Sequence, residues 1–152
     1  RGMLAAKPAG HSGIGTTLAG NPLAMAALRA CLEQVMTPAA YEHMVAMGER
    51  LEDGLEQLIE TERLPWHVQR VGARLEVGFS REPPRTGRQS VAGLPPLLPD
   101  AIRLYLLNRG LVITPFHNMM LMSPTTPAAG VDRLYSAWAQ CVTDLQLAAR
   151  SG

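Results

Sequence analysis

The sequence predicts an α+β fold, in which a small antiparallel sheet of about four strands is covered by helices and follows a long connecting helix. Three observations carry this prediction. Apolar residues recur at steps of three and four over several long segments. They alternate with polar residues over short segments between those helices. Finally, 47% of the 152 residues are hydrophobic, which is enough to build a core.

The first helix is predicted from Pro22 to about Met36. Asn21 is a favoured N-cap residue and Pro22 suits the first helical position, and the run LAMAALRACLEQVM that follows is rich in helix-forming residues. Residues 1–20 contain many Gly, Ala, Ser and Thr without an apolar period, which indicates a loop.

The second helix is capped by Thr37, with Pro38 at its first position. Its apolar residues lie on one face, and they are Tyr41, Met44, Gly48, Leu51, Leu55 and Leu58. After Pro65 the segments HVQRV and RLEVGF alternate polar and apolar residues around Gly72, which predicts two short strands joined by a tight turn.

A long loop is predicted over residues 80–99, because five prolines there exclude a regular core element. The run after Asp100 predicts a helix that stops at Gly110. The segments LVITPF and NMMLMSP predict two further strands, with a turn at His117 and Asn118.

The last helix is expected to start at Thr126 and Pro127. Its predicted apolar face consists of Val131, Leu134, Trp138, Val142 and Leu145.

Charge and composition narrow the possible partners. Fourteen basic and thirteen acidic residues give a net charge of +1, and the arginines are scattered, so nucleic acid is not an expected partner. No apolar run approaches the roughly 18 residues of a membrane span, so no membrane partner is expected either. Cys31 and Cys141 both lie in apolar helical patterns, which predicts reduced, buried thiols and a cytoplasmic location.

Few side chains offer chemistry of their own. The four histidines have no metal-ligand spacing, so no metal site is predicted, and His43 is interpreted as a surface residue. His117 is interpreted as a turn residue, with a place in a substrate pocket as the less favoured alternative. Lys7 is the single lysine, so a lysine nucleophile would have one candidate.

The stretch GTTLAGNPLAMAA, residues 15–27, allows two interpretations. It lacks the Gly-Lys-Ser/Thr ending of a P-loop and the glycine spacing of a dinucleotide site. Thr16 and Thr17 could still donate to a phosphate just before the start of a helix. From these local features a structural cap is favoured over phosphate binding.

The same stretch resembles the G-T-x-x-G-N-P-L-A-x-A-A motif of class III pyridoxal phosphate enzymes of fold type I, which include aminotransferases and the similar glutamate-1-semialdehyde aminomutases. The segments TPAAYEHMVAMGERLEDGL, VGARLEVGF, NRG, LVITPFHN and PTTPAAGVDRL agree with that family in order and spacing. The resemblance implies that Thr17, with Thr16 beside it, hydrogen-bonds the cofactor phosphate of the other subunit of a homodimer.

Two departures from the family pattern carry information. Lys7 has neither the distance nor the glycine-rich context of the family's Schiff-base lysine, so no catalytic residue is assigned in this chain. The arginine that binds an α-carboxylate in many relatives has no counterpart in TPFHNMMLMSP. That difference favours an aminomutase-like enzyme, or one acting on amines or β-amino acids.

The resemblance therefore implies the C-terminal part of a longer enzyme. Residues 1–36 are expected to end the cofactor-binding domain, and residues 37–152 to form the small C-terminal domain. The parent enzyme is expected to be an aminotransferase that uses pyridoxal 5'-phosphate on a small-molecule amino substrate, and this chain is expected to line part of its substrate cleft. An aminomutase that makes 5-aminolevulinate for tetrapyrrole synthesis and a non-catalytic dimerisation module are the alternatives. The isolated chain is expected to be inactive and not to bind the cofactor.

Overall fold

The computed structural model describes residues 20–92, 95, 97–115 and 117–151. The helices are α1 (Pro22–Gln34), α2 (Pro38–Thr61), α3 (Gly87–Ala92), α4 (Leu98–Leu107) and α5 (Ala128–Ser151), and the strands are β1 (His67–Val71), β2 (Arg74–Gly78) and β3 (Met120–Leu121). The chain divides into two units, Arg1–Thr37 and Pro38–Gly152. No helix of the described part is both long enough and apolar enough to span a bilayer.

Helix α1 is the regular element described in the first unit. The side chain of Asn21 caps it, accepting a hydrogen bond from the backbone N–H of Ala24 at 2.9 Å. No residue of α1 is buried, because the described part of its unit contains no other helix or strand that could cover it. The predicted burial of Cys31 is therefore wrong, since this thiol is exposed, whereas Cys141 in α5 is buried as expected.

The second unit contains an antiparallel sheet in the order β1-β2-β3. Alternation along the strands separates its two faces. One face contributes Leu75, Val77 and Met120 to the core, and each of these side chains is at most 5% exposed. The register places His67 opposite Gly78 and Gln69 opposite Glu76 on the other face. That second face, which we call the outer face of the sheet, carries the candidate site described below.

Helices cover the core face of the sheet. Helix α2 contacts β1 and β2, and α5 contacts both α2 and α4. Gly48 lets α2 approach the hairpin closely, because a Cβ at this position would lie 3.1 Å from the carbonyl oxygen of Gly72. The predicted apolar face of α2 is confirmed except at Tyr41, which is 51% exposed. Trp138 of α5 is the largest fully buried side chain.

Two predicted segments differ from the structure. Residues 111–115, the described part of LVITPF, form no strand, so the described sheet has three strands rather than about four. The chain reverses at His117 and Asn118 as predicted, with positive φ angles of 56° and 50° that are typical of a tight two-residue turn, but no ladder continues from this turn into residues 111–115. The Thr114 N–H donates to the Met119 carbonyl at 3.1 Å across this turn. In the predicted loop over residues 80–99, α3 forms a short helix, and α4 begins at Leu98 rather than Asp100.

Candidate functional site

The sequence points to two places, the loop before α1 and the turn at His117. Thr16 and Thr17 lie outside the described residues, so their predicted phosphate contact stays a prediction. The structure does describe the helix start that follows them. It also places His117 at a cleft on the outer face of the sheet.

The start of α1 uses most of its own hydrogen-bond donors. Pro22 has no N–H, the N–H of Ala24 donates to the Asn21 side chain, and the N–H of Met25 donates to the Asn21 carbonyl at 3.0 Å. Among residues 22–25, the backbone N–H of Leu23 is thus the one that does not donate a hydrogen bond to Asn21. A phosphate near this helix would accordingly depend on donors from the loop that precedes it, which is where Thr16 and Thr17 lie.

The cleft on the outer face lies between the β1-β2 hairpin, the segment after it and the turn at His117. We call it the outer-face cleft. Its polar lining consists of His67, Gln69, Glu76, Ser80, Gln89, Ser90 and His117, and its less polar lining of Val77, Gly78, Phe79, Pro84 and Pro99. Among the described residues that line it, none is an arginine or a lysine. The lining itself thus offers its single carboxylate, Glu76, no permanent positive charge, although Arg74 outside the lining lies within ion-pair range of it.

Glu76 supplies that carboxylate from the middle of β2. Its Oε2 atom is buried and accepts no hydrogen bond within the described residues. Nδ1 of His117 lies 3.5 Å from Oε2, and Nη2 of Arg74 lies 3.8 Å from it, both longer than an ordinary hydrogen bond. Oε2 is thus within ion-pair range of two groups and retains the capacity to accept a hydrogen bond.

His67 is held in one orientation at the start of β1. Its Nδ1 lies 2.6 Å from the carbonyl oxygen of Ser80. Because a carbonyl can only accept, Nδ1 carries the proton and donates, and in the neutral ring Nε2 is an acceptor. Nε2 is buried and has no hydrogen-bond partner within the described residues. The outer-face cleft therefore contains two buried acceptor atoms that lack a donor, Oε2 of Glu76 and Nε2 of His67.

The turn that carries His117 is anchored by the residue after it. Asn118 is 3% exposed, and its Nδ2 donates to the carbonyl of Pro99 at 2.7 Å. Asn is the residue type that best tolerates a positive φ after Gly. This hydrogen bond ties the turn to the start of α4 and so fixes the backbone of His117 beside Glu76. The alternative that placed His117 in a pocket agrees with this position, although His117 is also a turn residue.

Sequence reasoning missed Glu76 and His67. A signal for both was present, because the alternation in HVQRV and RLEVG puts His67, Gln69 and Glu76 on one face once the hairpin is paired. His43 also differs from its interpretation as a simple surface residue. It is half-buried, and its Nε2 lies 2.8 Å from the carbonyl oxygen of Thr126, which connects α2 to the segment before α5.

Cys141 is not a candidate nucleophile. Burial raises the pKa of its thiol to about 11. A thiol with a raised pKa is almost entirely protonated near neutral pH, and the protonated form is neither a nucleophile nor a metal ligand. Its role is packing in the core beside Trp138 and Val142, which are also buried.

Comparison with known proteins identifies the family. The class-III aminotransferase family model matches residues 3–132, and the chain belongs to this family. Over 67 residues it is 46% identical to glutamate-1-semialdehyde 2,1-aminomutase of Thermomicrobium roseum, an alignment that covers 44% of this chain and 16% of the relative.

Solved structures agree in fold. The chain is similar to a glutamate-1-semialdehyde-aminomutase from Pseudomonas aeruginosa PAO1 in complex with PMP, with a TM-score of 0.84 and 43% identity. That match covers 92% of this chain and 31% of the solved chain. A beta-phenylalanine aminotransferase from Variovorax paradoxus matches with a TM-score of 0.71 and 25% identity, also over 92% of this chain and 31% of the other. The predicted α+β class and the family resemblance are thus confirmed, and the chain spans about a third of each solved relative.

Proposed function

We propose that this chain is the C-terminal part of a longer enzyme that transfers amino groups with pyridoxal 5'-phosphate. The observation that carries the proposal is the structural match over 92% of the chain to an aminomutase solved with PMP. In this assignment residues 1–36 end the cofactor-binding domain, and residues 37–152 form the small C-terminal domain. The parent acts as a homodimer on a small-molecule amino substrate. A cytoplasmic location is part of the proposal and agrees with the free thiols of Cys31 and Cys141.

The cofactor supplies an electron sink for the bonds at the substrate's amino carbon when it is bound. Thr17, assisted by Thr16, would hold its phosphate across the dimer interface. The helix start fits this role, because the Asn21 cap fixes the backbone that follows the loop and Gly20, with a φ of 78°, has no atom within 4 Å of its missing Cβ. An anion is also favoured near the positive end of a helix dipole.

The outer-face cleft is our candidate for the part of the substrate site that this chain contributes. Its buried acceptors, its one carboxylate and its nonpolar wall fit a small organic amine better than a bulky or polyanionic ligand. This assignment develops the expectation that the chain lines the substrate cleft.

A threonine substitution tests the cofactor role. In the parent protein, Thr17→Val should weaken binding of pyridoxal phosphate about tenfold, the loss expected for one hydrogen bond to a charged group. Thr16→Val should weaken it less, and Thr143→Val on α5 serves as the control, because its hydroxyl is engaged with the carbonyl of Ala139. Equal cofactor affinity in the Thr17 and Thr143 variants would contradict the assignment.

The intramolecular reaction of an aminomutase is the second candidate. The aminomutase names of the relatives from Thermomicrobium roseum and Pseudomonas aeruginosa favour it. The distinguishing measurement is whether the parent needs an external amino acceptor. A mutase converts glutamate-1-semialdehyde to 5-aminolevulinate with no acceptor added, whereas an aminotransferase stops after one half-reaction.

A further inference from the structure

The outer-face cleft contains unmatched hydrogen-bond acceptors in the position that our proposed function gives to the substrate. We propose that Glu76, with His67, binds a hydrogen-donating group, an ammonium or a hydroxyl, at the end of the amino substrate remote from the reacting amine. The inference rests on the proposed function, because it names the substrate class of that enzyme. It adds a specificity-determining residue, Glu76, to the known family features of the chain.

The balance of donors and acceptors carries the inference. Oε2 of Glu76 and Nε2 of His67 are both buried and lack a donor within the described residues. The Ser80 carbonyl, 2.6 Å from Nδ1 of His67, makes Nε2 the acceptor nitrogen of the neutral ring. A carboxylate oxygen and an imidazole nitrogen have the same unmet requirement, which an N–H or O–H group satisfies. An ammonium, with three N–H donors, can satisfy the requirement of either atom.

Charge disfavours the opposite substrate class. A carboxylate has acceptor atoms alone, so it would leave both buried acceptors unmatched and would face the like charge of Glu76. Nδ1 of His117 is already within 3.5 Å of Glu76, so Glu76 and an incoming anion would compete for this histidine. Arg74, whose Nη2 lies 3.8 Å from Oε2 of Glu76, is not one of the residues that line the cleft. None of the described lining residues is an arginine that could form the bidentate contact typical of carboxylate sites.

The nonpolar wall of the cleft suits a short carbon chain between the two ends of the substrate. Phe79, Pro84 and Pro99 contribute to this wall. Phe79 is held in place by an edge-to-face contact with Trp66, in which the ring centroids are 5.2 Å apart at an interplanar angle of 88°. A nonpolar wall and a carboxylate in the same cleft select for the nature of the end group as well as for chain length.

The experiment compares four amino donors of the same carbon count with the parent holoenzyme: an alkylamine, a diamine, an amino alcohol and an amino acid. We expect the diamine or the amino alcohol to have the highest kcat/KM. A preference for the diamine would show that Glu76 binds an ammonium group, and a preference for the amino alcohol that it binds a hydroxyl group. Glu76→Gln should reduce the preference for that donor over the alkylamine about tenfold, the cost of one charge-assisted hydrogen bond. Glu56→Gln, which removes the same charge from an exposed position on α2, should leave the preference unchanged.

A binding measurement makes the inference independent of turnover. The diamine is titrated into the 152-residue chain while the imidazole NMR signals of His67 and His117 are followed, and we expect saturable shifts that are lost in Glu76→Gln and kept in Glu56→Gln.

A preference for the alkylamine or the amino acid in the unmodified parent would overturn the inference while leaving the proposed function intact. Absence of amino transfer from all four donors and from glutamate-1-semialdehyde would overturn the proposed function, and the NMR titration would then decide the binding role of Glu76 alone.

Discussion

The contact between Gly78 and the imidazole ring of His67 restricts the residue type at position 78. A Cβ there would lie 2.2 Å from Cε1 and 2.3 Å from Nε2 of the ring. We therefore predict that Gly78→Ala destabilises the chain by about 1–3 kcal/mol, the usual cost of overpacking, because the ring must move and give up its hydrogen bond to Ser80. Urea unfolding of the 152-residue chain measures this change.

Two variants test that explanation. Gly87→Ala is the matched control, since nothing lies within 4 Å of the Cβ it would add, and it should cost little or nothing. Adding His67→Ala to Gly78→Ala should recover part of the lost stability, because it removes the ring that clashes. If Gly78→Ala and Gly87→Ala unfolded at the same urea concentration, the close contact would not exist in solution.

The Asp144 carboxylate couples α4 to α5 and responds to pH. The hydroxyl of Tyr105 donates to its Oδ2 at 2.6 Å, and the side-chain amide of Gln140 donates to its Oδ1 at 2.9 Å. These hydrogen bonds, that of Tyr105 first, lower the pKa of Asp144. A lowered folded-state pKa contributes stability that is present above the ordinary pKa of an aspartate and is lost as the pH falls through the folded-state value.

This coupling predicts a specific change in acid stability. Tyr105→Phe should flatten the decrease in unfolding free energy below about pH 4, because the carboxylate loses its first hydrogen-bond donor. Tyr41→Phe is the control, since the side chain of Tyr41 is 51% exposed on α2. Denaturant unfolding at a series of acid pH values measures the slope. Parallel profiles for the wild type and Tyr105→Phe would show that the hydrogen bond does not act on Asp144.

At the scale of elements, helix α1 depends on its cap. Asn21→Ala removes the acceptor for the N–H of Ala24 and should destabilise the start of α1 by about 1 kcal/mol. Amide hydrogen exchange across the first turn of α1 should accelerate about fivefold in consequence. Asn21→Ser, which keeps a capping oxygen, should exchange nearly as slowly as the wild type. Equal rates in the alanine and serine variants would mean that the cap does not control this turn.

The elements that the sequence predicted correctly are those with a strong local pattern. The hairpin of β1 and β2 follows from strict alternation around Gly72, and α2 follows from an apolar face repeated over about five turns. Residues 111–115 have the composition of a strand but form none, because a strand needs a continued ladder of backbone hydrogen bonds to a neighbour and composition does not encode that pairing.

The candidate site was less predictable than the fold. Eight residues separate Glu76 from His67 in the sequence, and the pairing of β1 with β2 brings them to one face of the sheet. The identity of either residue alone does not predict this pairing. The two atoms that lack donors become visible only when every buried hydrogen bond is counted. His117 was recognised as a turn residue, but its position beside Glu76 depends on the Asn118 contact with Pro99, which links two distant segments.

At the scale of the whole molecule, the family assignment and the short span of the chain together limit which active-site groups this chain contains. The alignments cover 16% and 31% of the two aminomutases, and the single lysine of this chain, Lys7, lacks the family's Schiff-base context. Under the function proposed above, the chain would supply substrate contacts and a cofactor-phosphate contact, and the remaining groups would come from the rest of the parent. A partial active site of this kind provides no route for the chemical step by itself.

The most direct test of this account compares the parent protein with the 152-residue chain under the same conditions. Each is supplied with pyridoxal phosphate, an amino donor and a 2-oxo acid, and with glutamate-1-semialdehyde in a parallel assay, and the amino products are quantified. We predict amino-group transfer in at least one assay with the parent and none with the chain alone. Turnover by the chain alone would contradict the account. So would a parent that binds the cofactor and shows no turnover in either assay.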